Sequence, residues 1–164
     1  MELTVRDVLP LADPRVHAVM LVTADGETVL PVLVDSSAAL AIAFRLAHRE
    51  SPRPLSQDLL ASVVDRLGGT VTQVRIDRVK AHAFEGRIFI QQGRRELKLD
   101  ARPSDSLAIA LGSKARILTT PRVLAEAALS REDLESVTGG GPGVGGSGSA
   151  GTSHAPLATP DVQL

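Results

Sequence analysis

One tetrapeptide occurs twice in this chain, and the repeat limits the folds that the chain can adopt. Residues 40–43 read Leu-Ala-Ile-Ala, and residues 107–110 repeat them at an offset of 67 (107 − 40). Ser37 and Ser104 correspond at the same offset. A strand-like segment precedes each copy, so each copy is expected to be the helix of a hairpin–helix unit. Such a unit cannot cover its own apolar face, and we expect the two units to pack together through their sheets.

The patterns along the chain predict an α+β fold, with mixed or antiparallel sheets and short helices. Strands are expected at residues 3–9, 16–23, 28–34, 71–79, 83–90 and 96–99, and near Ile117. Helices are expected from Ser36 or Ser37, over residues 56–67, from Ser104, and over residues 123–129 and 132–137, with serine as the N-cap of the first three. The helix at 56–67 carries an apolar stripe that is expected in the core: Leu59, Leu60, Val63, Val64 and Leu67.

Length and composition indicate one domain and a tail. With 164 residues and 43% apolar content, the chain is long enough for one core of ordinary size. It has no apolar run that could cross a membrane and no secretory signal, so we expect a soluble protein of the cytoplasm. The absence of cysteine excludes disulfides and a thiolate nucleophile. The domain is expected over residues 1–137, followed by a disordered Gly-, Ser- and Pro-rich tail over residues 138–164.

The charge balance argues against tight, non-specific binding of duplex DNA. The chain has 18 basic and 19 acidic side chains and a formal net charge of −1. Such binding normally requires a clear basic excess, so a local patch would have to hold any polyanion. The aromatic residues are Phe44, Phe84 and Phe89, which are too few for single-strand recognition by base stacking.

The charged residues with the clearest functional setting stand where an extended segment turns into a helix. Asp100, Arg102 and Asp105 surround this turn. Pro103 disfavours the helical conformation at Arg102, and Ser104 is the natural N-cap. The helix start offers free amides and a positive dipole, which can hold either Asp105 or an outside anion such as a phosphate. Ordinary capping and an ion pair explain the same residues.

Two motifs resemble those of a known family. Residues 53–60 read Arg-Pro-Leu-Ser-Gln-Asp-Leu-Leu, and residues 100–111 read Asp-Ala-Arg-Pro-Ser-Asp-Ser-Leu-Ala-Ile-Ala-Leu. Together they resemble the bifunctional nuclease domain family, over about residues 16–129 in the same order of elements. The resemblance implies an α+β domain that hydrolyses both DNA and RNA. Nucleic acid is therefore the expected partner, a membrane is not, and a homo-oligomer is left open.

A phosphodiesterase needs an activated water and positive charge where the phosphorane develops. We predict catalytic roles, with shared binding of one Mg²⁺ or Mn²⁺, for three acids: Asp58, Asp100 and Asp105. We predict phosphate binding by Arg53, by Arg102 and by the helix start at Ser104. Asp58, Arg102 and Asp105 are then expected to approach one another in space.

Two departures from the family pattern remove ionisable groups. Gln57 stands where the family usually has His, and Ala38 stands where the first unit usually has Glu. Two hypotheses from different classes follow. The first is a weak, metal-assisted nuclease of low sequence specificity, whose site joins the two motifs. The second is a non-catalytic regulatory or protein-interaction module that keeps the fold. A pocket for a small phosphorylated or carboxylated ligand at the Ser104 helix start is a third.

Overall fold

The computed structural model describes residues 1–49, 53–80 and 83–130 of the chain. The strands are β1 (Glu2–Pro10), β2 (Val16–Thr23), β3 (Thr28–Asp35), β4 (Gly69–Lys80), β5 (Ala83–Gln92), β6 (Arg95–Ala101), β7 (Arg116–Thr119) and β8 (Leu129–Ser130). The helices are α1 (Ser36–Leu46), α2 (Ser56–Arg66), α3 (Pro103–Ser113) and α4 (Pro121–Ala127). The chain is α+β, as predicted. The expected helix at 132–137 and the expected tail lie outside the described residues.

The described strands form one mixed sheet in the order β6-β5-β4-β7-β1-β2-β3-β8. β4 and β7 are parallel, and the neighbouring pairs on either side of them are antiparallel. The strands of the two predicted units therefore do not form separate sheets that face each other. They join edge to edge through β7. None of the described helices is both long enough and apolar enough to cross a bilayer.

The element bounds follow the sequence repeat. Adding the offset of 67 to the bounds of α1 gives residues 103 and 113, which are the bounds of α3. The same offset carries the first residues of β1, β2 and β3 onto those of β4, β5 and β6. The two-unit organisation stays a prediction, and these coincident bounds support it.

α1 and α3 lie side by side and run parallel. Arg102, the N-cap of α3, has Nη1 3.8 Å from Oδ2 of Asp35, the N-cap of α1. At the other end of both helices, the Arg45 guanidinium occupies the space that a Cβ at Gly112 would need. Asp35 and Arg102, like Arg45 and Gly112, are related by the offset of 67. Equivalent positions of the two helices therefore face each other.

α3 forms the centre of the core. Residues 107–110 are all buried, so this helix is apolar around most of its circumference. It contacts β3, β4, β5 and β7 as well as α1 and α2, which requires the sheet to curve around it. The alanines in this segment leave room for close approach of the neighbouring elements.

The apolar stripe of α2 is not in the core, contrary to the sequence prediction. Leu59, Leu60, Val63 and Leu67 are 44–67% exposed, and no residue within α2 is fully buried. α2 packs on β4 and α3 along a different side, which carries the half-buried Val64. The physical reason is that α3 already fills the space next to the sheet, so only one flank of α2 reaches the core.

The predicted serine caps are also wrong. The N-cap of α1 is Asp35, whose Oδ1 accepts a 2.9 Å hydrogen bond from the amide of residue 38, and not Ser36 or Ser37. The N-cap of α2 is Leu55, and Ser56 is its first helical residue. A carboxylate competes well for such amides, because hydrogen bonds to a charged acceptor are stronger.

α3 begins within one residue of Ser104, as predicted, but its N-cap is not the serine. Its N-cap is Arg102, in an extended conformation (φ −66°, ψ 148°), as expected for a residue that precedes proline. Pro103 is the first helical residue, a position where its missing N–H costs nothing. Ser104 is therefore inside the helix and buried, and it does not cap it.

The first turn of α3 lies directly against β5 at Gly86. A Cβ added there would lie 2.7 Å from Ser106 Oγ, 2.9 Å from the Ala101 carbonyl oxygen and 3.2 Å from Pro103 Cα. The first two distances are too short for real contacts and the third is tight, so only glycine fits without a shift of its neighbours. This close approach sets the position of the charged turn between β6 and α3.

We expect Gly86→Ala to destabilise the protein by about 1–3 kcal/mol, because the methyl group overpacks a site bounded by backbone. The measurement is urea unfolding. Ser106→Ala is the control: Ser106 Oγ has no hydrogen-bond partner among the described residues, so its loss should cost less than about 1 kcal/mol. In the double variant, stability should recover only in part, since Ala101 still blocks the methyl group. A Gly86→Ala protein as stable as wild type would contradict the close approach.

Candidate functional site

The two sequence motifs lie in two different clefts. The helix cleft, of about 350 Å³, is lined by Ala41, Phe44, Arg45, Arg49, Pro54, Leu55, Asp58 and Ser62. The sheet cleft, of about 540 Å³, is lined by Asp77, Phe84, Glu85, Gly86, Arg87, Asp100, Ala101, Arg102 and Pro103. The first motif contributes to the helix cleft and the second to the sheet cleft. No lining residue is shared.

α3 separates the two clefts along its length. Its first residue, Pro103, lines the sheet cleft, and Gly112 near its other end contacts Arg45 of the helix cleft. Nine residues of α-helix span about 14 Å at 1.5 Å per residue. The sequence predicts that Asp58 approaches Arg102 and Asp105. The described geometry instead keeps Asp58 apart from these two residues.

Within the sheet cleft, Arg87 lies between two carboxylates. Its Nη1 is 3.2 Å from Oδ2 of Asp77, and its Nε is 3.3 Å from Oδ1 of Asp100. Arg87 and Asp100 are direct partners in the β5–β6 ladder, so the cross-strand register brings them together. The Asp77 side chain is largely buried, whereas the Asp100 side chain is 91% exposed. Asp77 therefore fixes Arg87, and Asp100 remains accessible to water and ligands.

Arg102 forms a two-pronged ion pair with Asp105 at the rim of the sheet cleft. Nε donates to Oδ2 at 2.8 Å and Nη2 donates to Oδ1 at 3.1 Å. This pairing confirms the expected approach of Arg102 and Asp105. The hydrogen bond from Asp105, with the nearby charges of Asp105 and Asp35, raises the pKa of the Arg102 guanidinium. Arg102 is largely exposed, so its remaining N–H groups are free to face a ligand.

The Ser104 side chain does not face the sheet cleft. Its side chain is buried and does not line the sheet cleft. The sequence predicts phosphate binding by the amides of the helix start at Ser104, and burial of the side chain leaves that prediction as it was. The carboxylate of Asp105 occupies the first turn of α3, which is one of the two uses foreseen for this helix start.

In the helix cleft, Asp58 has two structural partners. Its Oδ2 accepts a 2.8 Å hydrogen bond from the Leu55 amide, and its Oδ1 forms an ion pair with Arg45. Burial lowers the pKa of the Arg45 guanidinium, and among the described residues its Nε has no hydrogen-bond partner. Asp58 thus caps α2 and neutralises a largely buried cation. This arrangement favours a structural role for Asp58 over a catalytic one.

Three other positions of the sequence analysis lie around the helix cleft and α1. Arg53 is exposed and immediately precedes Pro54, which lines the helix cleft. Gln57, at the place of the family's usual His, is half-buried, and Ala38, at the place of the usual Glu, is buried. At both positions the chain therefore has an uncharged residue, where the charged residue usual in the family would be partly or fully buried.

The three predicted catalytic acids do not gather around one point. Asp58 binds Arg45, Asp100 binds Arg87, and the third acid binds Arg102. Over residues 1–49, 53–80 and 83–130, no three His, Asp or Glu side chains are grouped so that they could hold a metal ion. The predicted shared Mg²⁺ or Mn²⁺ site does not fit this arrangement.

Sequence reasoning missed Arg87 and Asp77 in the sheet cleft and Arg45 in the helix cleft. A signal for Arg87 was present. The turn at Gly93 anchors the β5–β6 register, and counting outward from it places Arg87 opposite Asp100. Arg45 carried no such signal, because its contacts with Asp58 and Gly112 depend on how three separate helices pack together.

We expect Asp58→Asn to lower the free energy of unfolding by about 1–3 kcal/mol, because it leaves the buried Arg45 guanidinium without a counter-charge. Asp100→Asn is the matched control and should change stability by less than about 0.5 kcal/mol, since that carboxylate is exposed. Urea unfolding measures both. Equal effects of the two substitutions would contradict the structural role of Asp58.

Comparisons with known proteins agree with this fold and these motifs. A family model described as the bifunctional nuclease domain matches residues 19–132. An uncharacterized protein of Mycobacterium tuberculosis is 37% identical over 129 residues, covering 76% of this chain and 77% of that protein. Bifunctional nuclease 1 of Oryza sativa subsp. japonica is 29% identical over 111 residues, covering 65% of this chain and 34% of that protein.

The family match covers most of the described chain, including both motifs, the β4–β6 strands and α3. The mycobacterial relative is similar over most of its own length as well as most of this chain. The chain therefore belongs to the bifunctional nuclease domain family.

Proposed function

We propose that this protein hydrolyses phosphodiester bonds of DNA and RNA at the sheet cleft, with low sequence specificity. One observation carries the proposal: two guanidiniums, of Arg87 and Arg102, and the exposed carboxylate of Asp100 line the same cleft. Cations that bind a phosphate and a carboxylate that accepts a proton from water are the two parts that this hydrolysis requires. Membership of the nuclease family supports the same reaction.

Arg87 and Arg102 are proposed to bind the scissile phosphate. Each is held by a carboxylate that orients it, Asp77 for Arg87 and Asp105 for Arg102. A guanidinium has five N–H donors, so donors remain for the non-bridging phosphate oxygens. These oxygens gain negative charge in the transition state, and fixed cations stabilise that charge. Asp77 and Asp105 are positioning residues in this proposal.

Asp100 is proposed as the general base. Its side chain is accessible to water. The contact of Arg87 Nε with Oδ1 is 3.3 Å, which is long for a charged pair, and it leaves Oδ2 to accept a proton. The water oxygen forms a bond to phosphorus while its proton passes to Asp100. The bond from phosphorus to the leaving oxygen breaks, and that oxygen takes a proton from solvent.

Recognition is proposed to rely on the phosphate backbone. Phe89 is buried, with the Arg75 guanidinium 5.0 Å and the Lys98 ammonium 5.7 Å from its ring centre, so its faces are not open to a base. Among the residues that line the sheet cleft, the half-buried Phe84 is the one aromatic side chain, which is too few for stacking of successive bases. Phosphate contacts carry no sequence information, which favours action on both DNA and RNA. Arg53 remains a proposed contact to a phosphate farther along the strand, beside the helix cleft. Binding through so few cations should weaken with salt, with a shallow slope.

A specific observation also favours a second candidate, a non-catalytic interaction module. Asp58, Asp100 and Asp105 are each engaged by an arginine, and no group of metal-ligating side chains occurs among the described residues. Carboxylates that are each paired with an arginine are typical of structural ion-pair networks as well as of active sites. The nuclease assay therefore includes arms with Mg²⁺, with Mn²⁺ and with chelator.

We expect Asp100→Asn to reduce kcat by about 10²–10⁴-fold with little change in KM, because it removes the base and keeps the shape. Arg102→Ala should raise KM, because it removes a phosphate ligand. Purified variants are assayed on single-stranded DNA, duplex DNA and RNA. Arg122→Ala is the matched control, since Arg122 also pairs with a carboxylate, Glu126, but lies on α4 outside both clefts, and it should leave cleavage unchanged.

Unchanged cleavage in folded Asp100→Asn, Arg102→Ala and Asp105→Ala variants would place the activity elsewhere or in a contaminant. Absence of cleavage by the wild type under every metal condition would favour the interaction module. Loss of cleavage in the Arg122→Ala control would show that the assay reports general damage and would remove the support from the sheet cleft.

A further inference from the structure

β6 is the outermost described strand on its side of the sheet, so one of its two edges has no partner strand there. Residues 95–100 are exposed. Two of them, Leu97 and Leu99, are 42% and 49% exposed. An exposed edge strand with apolar side chains is a template for pairing with another strand.

Leu97 and Leu99 lie on the same face of the sheet as the core. Leu97 is the direct partner of Ile90, and Leu99 is the direct partner of Ile88, and both isoleucines are buried. Direct partners in a ladder point to the same side of the sheet. The helical layer covers β4 and β5 but leaves these two leucines about half exposed.

The end of α2 is held at the β5–β6 hairpin, of which this strand is one half. Gly69 contacts both Val64 of α2 and Ile90 of β5, and Gln92 Nε2 donates a 2.8 Å hydrogen bond to the Leu67 carbonyl oxygen. These contacts hold the end of α2 beside the β5–β6 hairpin. At 100° per residue, the exposed apolar side chains lie on the flank of α2 opposite Asp58, which faces α1.

The exposed flank of α2 and the uncovered face of β6 are both apolar and lie at the same β5–β6 hairpin, and we call the two together the α2–β6 surface: Leu59, Leu60, Val63, Leu67, Leu97 and Leu99. Several exposed apolar side chains in one part of a protein are typical of an interaction surface. Six half-exposed aliphatic side chains and a strand edge suit the centre of a standard interface of about 800 Å² per partner.

We propose that a second copy of this chain covers the α2–β6 surface, in a symmetric dimer with antiparallel β6 strands and Leu97 on the twofold axis. A twofold interface places the same surface on both copies, so an apolar surface that includes a free strand edge can cover itself. The two sheets then continue into each other, and the two α2 helices approach above the paired leucines.

The charges along β6 select this register. Gly93 and Arg94 form a two-residue turn between β5 and β6, so the residue pair next to the turn is hydrogen-bonded and the N–H and C=O groups of Glu96 and Lys98 point to the free edge. With Leu97 opposite its copy, the Glu96 of each chain faces the Lys98 of the other, which gives two pairs related by the twofold axis. Both pairs are attractive.

The register that places Lys98 on the axis is unfavourable. It sets Lys98 against its own copy and Glu96 against Asp100, so like charges face each other across the interface. A shift to Leu99 brings Asp100 opposite Lys98, and Asp100 is the residue that Arg87 holds within its own chain. With the axis at Leu97, Asp100 keeps its ion pair with Arg87 of its own chain.

The chain has no native cysteine, so a single cysteine reports the register directly. With the axis at Leu97, the two Cα atoms at position 97 lie about 4.5 Å apart, within the range of a disulfide. We expect Leu97→Cys to give a covalent dimer under mild oxidation. Leu99→Cys is the matched control on the same strand and face, where the two Cα atoms would be about 14 Å apart and no bond should form.

Charge reversal tests the same interface without cross-linking. Glu96→Lys and Lys98→Glu should each weaken self-association at least about tenfold, because each places like charges opposite each other twice. A mixture of the two variants should form a mixed dimer, since every facing pair is then attractive. Leu40→Lys, on the exposed side of α1, is the control and should dimerise as the wild type does. Sedimentation equilibrium measures these constants.

A wild-type protein that stays monomeric at high concentration would overturn the proposal. So would cross-linking of Leu99→Cys in preference to Leu97→Cys, or single charge variants that fail to pair with each other. Leu97, Glu96 and Lys98 line neither cleft, so these results are independent of the nuclease assay.

Discussion

The parallel packing of α1 against α3 is the contact on which the rest of the structure depends. Asp35 meets Arg102 where the helices begin, and Arg45 lies over Gly112 where they end. The small residues of both helices allow this approach, and the sheet curves around α3 as a result. Each cleft opens at one end of the pair. The separation of the two sequence motifs into two clefts is therefore a consequence of helix length.

Arginine–carboxylate pairs then decide what each cleft can do. In the helix cleft, Asp58 forms an ion pair with the buried guanidinium of Arg45, so its negative charge stabilises the fold. In the sheet cleft, the guanidinium of Arg102 and the carboxylate of Asp100 stay open to solvent even though each has a partner. Exposure, more than residue type, distinguishes the cleft that we propose as the nuclease site. It is also the reason why we propose different roles for three similar acids.

The same helix pair accounts for the exposed flank of α2. Because α3 occupies the space beside the sheet, α2 reaches the core along one side only, and four apolar side chains remain in solvent. β6 extends beyond the helical layer and leaves two more. Exposed apolar side chains on a helix and on an edge strand are typical of the surface that one partner contributes to an interface. The proposed dimer supplies the second half from an identical surface.

The sequence by itself determined the α+β class, nearly every element, the repeat at an offset of 67 and the charged turn before α3, because periodicity, turn residues and X-Pro restrictions are local. It also predicted the Arg102–Asp105 approach, which spans only three residues. Only the tertiary structure decided that the stripe of α2 faces solvent, that Asp58 binds Arg45, and that the two motifs stay apart. Periodicity identifies an apolar face but not what covers it, and ion pairs between different helices depend on a packing that no local pattern records.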